Sequence, residues 1–199
     1  MEQMMVALRQ HPHDYDPIEE YLAFERASEV RHELINGAIV MMAGANNRHN
    51  LIVSSTNIAL GSQLRKRLCA TYTQDMKVIS PSGQAAYPDI IALCGKPKFR
   101  DEKEDVLLNP NVIIEVLSPS TESFDRGDKF HHYRSIPSFQ EYLLISRDMM
   151  RVEQFTRNAD NSWQLRAYLE PHEVVTLASI DCTLLLEDIY EKVIFGDEA

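Results

Sequence analysis

The chain has 199 residues, 44% of them hydrophobic, and a formal net charge of −10. That supports one domain with a sizeable core, and no run of about 18 or more apolar residues is present to span a membrane. The acidic balance argues against a protein that coats nucleic acid electrostatically, because lysine and arginine contacts to phosphate supply most non-specific affinity. It does not exclude a nuclease, since a bound cation inverts the local charge.

Residues 1–15 carry little pattern and are expected to form a flexible N-terminal tail, followed by a single domain over residues 16–195. Asp16-Pro17 before Ile18-Glu19-Glu20 predicts a helix start, with aspartate as cap and proline in the first turn. Asn36-Gly37 between two apolar segments predicts a tight hairpin. Residues 46–69 form the longest helix candidate, with Val53, Leu60, Leu64 and Leu68 near one face. Strands are expected at 71–73, 76–79, 87–93 and 111–117, with a charged loop over 95–108. Thr121 should cap a helix over 122–135. Later strands are expected at 139–146, 151–156, 163–169 and 174–177, and a last short helix over 184–194. This order predicts a mixed α/β (α+β) fold in which an N-terminal helix and hairpin precede the main sheet.

The start, Met1–Val6, lacks the charged and apolar regions of a signal peptide. Cys69, Cys94 and Cys182 are odd in number and far apart, and they make no CxxC motif. Together these features predict a cytoplasmic protein with reduced thiols. Arg65-Lys66-Arg67 and the basic run 96–100 are read as solvated surface.

Two acids stand out. Asp89 follows Pro88 and opens the apolar run Ile90–Leu93, and Glu115 lies inside Val112–Leu117. A charge in a buried strand must be paired, protonated or metal-bound. Two such acids suggest one shared cation, and magnesium suits carboxylate oxygens. By itself Asp89 could equally face solvent or cap a turn, and Glu115 could pair with an arginine.

Pro88-Asp89, Glu115-Val116-Leu117-Ser118, the series Asp125, Lys129, Tyr133, and the strand Glu141–Ile145 carry a resemblance. So does His32–Gly37. They resemble the bacterial restriction-endonuclease-like branch of the PD-(D/E)XK nuclease superfamily, long filed as a domain of unknown function, over about residues 21–189. The resemblance implies a restriction endonuclease-like core, a mixed β-sheet flanked by helices. It implies that Asp89, Glu115, Glu33 and the Val116 backbone carbonyl hold Mg2+, for which Mn2+ can substitute. One departure is Leu117, which occupies the position where the superfamily usually has lysine. Lys129 on the following helix is its counterpart here and would position the attacking water.

Other roles have plain alternatives. Lys129 could form only a surface pair with Asp125. Tyr133 could donate to phosphate or simply pack. Glu33 could be an exposed strand carboxylate, and His49 could line the cleft or merely open its helix. His131 and His132 diverge by about 100° on a helix and do not suit one zinc ion. The implied activity is metal-dependent hydrolysis of DNA phosphodiester bonds, with a homodimer suited to duplex cleavage. A non-catalytic binding module and a hydrolase of another phosphoester are the competing readings.

Overall fold

The computed structural model of the protein describes residues 5–7 and 16–196. The first half of the chain forms β1 (Met5–Ala7), α1 (Pro17–Glu25), β2 (His32–Ile35), β3 (Ala38–Met41), α2 (Asn47–Leu64), β4 (Cys69–Thr73), β5 (Lys77–Ile79), β6 (Ala85–Ala86) and β7 (Ile90–Cys94). Then come β8 (Val106–Leu107), β9 (Val112–Leu117), α3 (Glu122–Phe124), a π-helical turn (Asp125–Lys129), α4 (Phe130–Tyr133) and β10 (Glu141–Ser146). The end of the chain forms β11 (Val152–Arg157), β12 (Trp163–Tyr168), β13 (Val174–Leu177), β14 (Cys182–Leu185) and α5 (Leu186–Ile189).

The central sheet has the order β12-β11-β10-β9-β7-β4. It is mixed: β9 and β10 run parallel, and the other neighbours are antiparallel. A parallel pair needs a crossover, and the α3–α4 segment supplies it. Period two then divides β9 between two cores. Val112, Ile114 and Val116 pack with Ile52 and Leu60 of α2. Ile113 and Leu117 pack on the other face with Phe130 and Tyr133 of α4 and Tyr142 of β10. Each fully buried aliphatic side chain contributes about 1.5–3 kcal/mol, so this strand is fixed in register with its one charge, Glu115, held inside.

The second sheet, β1-β3-β2-β6-β5-β8, lies with α1 over its own core of Ile18, Tyr21, Leu22, Leu34 and Ile39. Asp16 caps α1 by accepting from the Ile18 N–H at 2.9 Å, with Pro17 in the first turn. Asn36 and Gly37 have φ of 48° and 78°, the paired left-handed geometry that a two-residue hairpin requires. Glycine reaches it freely and asparagine tolerates it.

Several expectations are corrected. Met5–Ala7, placed in the flexible tail by sequence, pairs with Ala38–Val40 as a strand; residues 1–4 and 8–15 lie outside the described residues. The long helix ends at Leu64, and Leu68, expected on its apolar face, is exposed in the loop beyond. The last helix, expected over 184–194, is only Leu186–Ile189; Leu184 and Leu185 end the strand Cys182–Leu185, in which Cys182 and Leu184 alternate inward against β13. The reduced-thiol expectation also fails for two of the three cysteines. Cys69 and Cys94 are direct cross-strand partners on β4 and β7, with Cα atoms 4.0 Å apart, and they form a disulfide. Cys182 is free and buried.

Candidate active site

Glu115 and Lys129 are both deeply buried charges, 3% and 7% exposed. Period two turns Glu115 toward the α4 side of the sheet, beside Leu117. Leu117 is buried in that apolar cluster, so no ammonium comes from the strand. It comes from the crossover instead. Lys129 Nζ lies 3.2 Å from Glu115 Oε1, 3.2 Å from Glu33 Oε1 and 3.3 Å from Asp125 Oδ1. The surface-pair alternative for Lys129 therefore does not describe it: one buried ammonium gathers three carboxylates. Tyr133, one turn on, donates its hydroxyl to Glu115 Oε1 at 3.1 Å.

Asp89 sits at the mouth of this cluster, its side chain 16% exposed. Its Oδ2 accepts from the Val116 N–H at 2.8 Å and lies 3.1 Å from His49 Nε2. Its backbone N–H donates to Glu115 Oε2 at 3.3 Å. Asp89 Oδ1 takes no hydrogen bond among the described residues. In an extended strand the N–H and C=O of one residue point to the same side, so the Val116 carbonyl faces the Asp89 edge too. His49 is positioned by Asn46, whose side chain accepts from the His49 N–H at 3.0 Å. The His49 Nδ1 is buried and has no partner among the described residues.

Burial pushes the Glu115 carboxyl well above the ordinary range; Lys129 opposes this, while Asp125, Asp89 and Glu33 add to it. Burial pulls the Lys129 ammonium down, but Glu115, Glu33 and Asp125 overcome it and hold its pKa well above the ordinary value. Burial, then Glu115, raises the Tyr133 phenol, which stays a donor. Four acids against one ammonium make a cluster that favours either an extra proton or an extra cation.

The donor set was tested against a hard divalent ion. Among the described residues no three His, Cys, Asp or Glu side chains are placed to hold a metal ion together, and the centre of the acid cluster is taken by the Lys129 ammonium. Magnesium, however, is commonly held by one or two carboxylates and keeps several waters. Asp89 with its unengaged Oδ1, Glu115 Oε2 and the Val116 carbonyl are hard oxygens on one edge, and they fit such an ion.

Sequence reasoning missed a second buried network that supports this edge. Glu25 accepts from the His32 N–H at 3.0 Å and from the Tyr87 hydroxyl at 2.8 Å. Lys77 Nζ donates to the Tyr87 hydroxyl at 3.3 Å and lies 3.0 Å from Asp105. Arg26 also grips Asp105 and holds its carboxyl well below the usual range. The Tyr87 N–H donates to Glu33 Oε1 at 3.0 Å, which joins the two networks immediately before Pro88-Asp89. A signal existed: Ile18, Tyr21, Leu22 and Glu25 share the buried face of α1, and an acid there needed partners.

A mixed sheet flanked by helices, with two acids on adjoining strands and a lysine delivered by the crossover, defines a restriction endonuclease-like protein. Residues 18–186 match the family described as "Uma2: Putative restriction endonuclease", and the chain belongs to that family. It is 37% identical to an uncharacterized protein of Synechocystis sp. over 147 residues, covering 73% of this chain and 83% of that protein. A second uncharacterized Synechocystis protein is 31% identical over 179 residues, covering 89% of this chain and 92% of that one. The fold is similar to the crystal structure described as a putative nuclease belonging to DUF820 from Anabaena variabilis. The TM-score is 0.71 at 19% identity, covering 84% of this chain and 93% of that one.

Proposed function

We propose that the protein is a magnesium-dependent endonuclease that hydrolyses phosphodiester bonds in DNA, acting in the cytoplasm as a homodimer. Membership of a restriction endonuclease family supports nuclease-like chemistry. The single observation that carries the reading furthest is the Lys129 ammonium held 3.2 Å from Glu115, beside an Asp89 carboxylate with one unengaged oxygen. Asp89, Glu115, the Val116 carbonyl and Glu33 would hold Mg2+, or Mn2+ in its place. When bound, the metal supplies charge stabilisation at the phosphate and a more acidic water.

The remaining work falls to the chain. Lys129 orients the attacking water and offsets negative charge at the phosphate. Asp125, one turn before it, keeps that ammonium charged and aimed. Tyr133 fixes the rotamer of Glu115 through its hydroxyl. His49 and the Val116 N–H together hold Asp89 Oδ2, which leaves Oδ1 facing the cleft. The Tyr87 N–H keeps Glu33 at the rim of the cluster.

The test is incubation of purified protein with supercoiled plasmid, with and without magnesium or manganese. Nicked and linear products should appear only with metal. Lys129→Ala should lose about 10²–10⁴-fold in rate, the range for a group of this kind. No metal-dependent cleavage of any DNA by folded protein would reject the reading.

A further inference from the structure

Beside Asp89 a groove runs between α2 and the end of β4, with a cavity of about 290 Å³ lined by Asn50, Val53, Ser54, Asn57, Ile58 and Gln74. It adjoins the candidate site directly. The Gln74 N–H donates to the Asp89 carbonyl at 3.4 Å, and Asn50 follows His49, whose ring touches the Asp89 carboxylate. We propose that this groove receives a nucleobase of the strand being cut, next to the scissile phosphate, and reads its edge through Asn57, Asn50 and Gln74. This rests on the endonuclease reading and extends it to the choice of cutting site.

Three observations point to a base and not to the sugar-phosphate backbone. First, the lining carries no lysine or arginine, so it offers nothing to neutralise a phosphate. It presents amides instead, which combine donor and acceptor in the pattern that matches base edges. Second, the Asn57 side chain lines the groove, and its Oδ1 has no hydrogen-bond partner among the described residues. An amide at a groove wall that the protein leaves without a partner is available to a ligand's hydrogen-bonding edge. Third, Ile58 is 67% exposed on an otherwise polar helix face, at the rim of the groove. An apolar contact beside hydrogen-bonding amides suits the flat face and polar edge of a base. Gln74 adds a held geometry: its φ is +43°, and its carbonyl accepts from Arg31 Nη1 at 3.3 Å.

The test compares wild type with Asn57→Leu, a change of similar size that removes both amide groups, and with Asn57→Ala in case the larger side chain disturbs α2. Random-sequence duplex and single-stranded libraries are cut in the presence of magnesium or manganese, and the ends are sequenced. Wild type should favour particular bases at a position adjoining the cut. Both variants should flatten that preference roughly fivefold or more, the discrimination expected of one good base contact, whatever the total rate. Preference on duplex alone assigns the edge to a groove of paired DNA, and preference on single strands alone assigns it to an unpaired base. Cutting with no base preference beside the cut, or a preference unaltered in both variants, overturns the inference. If wild type cuts nothing, the endonuclease reading fails separately. The groove is then judged by selecting bound oligonucleotides from the same libraries in EDTA: enrichment of a base that Asn57→Leu erases supports it, and its absence overturns it.

Discussion

Replacing Lys129 by methionine keeps most of the volume and removes the only ammonium among three buried carboxylates. Its Nζ lies 3.2, 3.2 and 3.3 Å from Glu33, Glu115 and Asp125. At an effective dielectric of about 20, each such contact amounts to roughly 5 kcal/mol of Coulomb attraction. Desolvating the ammonium takes back several kcal/mol, and the acids repel one another. What remains measurable is the penalty for stranding buried charge, about 3–5 kcal/mol. Urea unfolding in EDTA at pH 7.5 should show that loss with an unchanged slope. The loss should shrink as the pH falls, because the stranded carboxylates can then take up protons. A change below about 1 kcal/mol at neutral pH would place Lys129 with ordinary surface pairs and refute the argument that it anchors the cluster.

Glu115→Gln should do the opposite. A carboxyl whose folded pKa is raised contributes stability at pH below the ordinary carboxylate range, and that stability is lost as pH rises through the folded value. The variant should therefore gain on wild type as pH rises above the ordinary carboxylate range in metal-free urea melts; a variant that loses ground as pH rises would contradict the sign. Asp89→Asn can still accept from the Val116 N–H, so it should fold normally yet lose most manganese affinity in calorimetric titration. Equal binding by wild type and variant would remove Asp89 from the metal set. Reducing Cys69–Cys94 should lower stability by about 3.5 kcal/mol, the loop-entropy value for a separation of 25 residues. Thermal melts with and without reductant measure this, and coincident melts would show that the bond adds nothing.

Local chemistry was legible where a short segment decides its own structure. The Asp16-Pro17 helix start and the Asn36-Gly37 turn follow from capping and from φ preferences. Strand β9 follows from an apolar run broken only by Glu115. Glu115, Asp89 and Lys129 could be singled out because acids in apolar strands need partners, and because the family spacing tied the three together. What escaped depends on contacts distant in sequence. The two-residue strands β6 and β8 have too little sequence to show a period. Tyr87, Glu25 and Lys77 meet only through folding, across 62 and 10 residues. The bond between Cys69 and Cys94 depends on the register of β4 against β7, which no spacing rule reveals.

The π-helical turn at Asp125–Lys129 accommodates one residue more than an α-helical turn would. It behaves as a one-residue insertion held within a helix. Gly127 sits in its middle with open space around its Cα. Deleting that residue would let the segment close into regular α-helix, with Phe124 before it and Phe130 after it keeping their places. Asp125 and Lys129 would then stand three residues apart, still neighbours on one helix face, but turned relative to Glu115, so the ammonium would have to find its carboxylates anew. Chain length at this point is therefore a marker of geometry: a relative one residue shorter here should share the fold but set the ammonium at a different point among the acids.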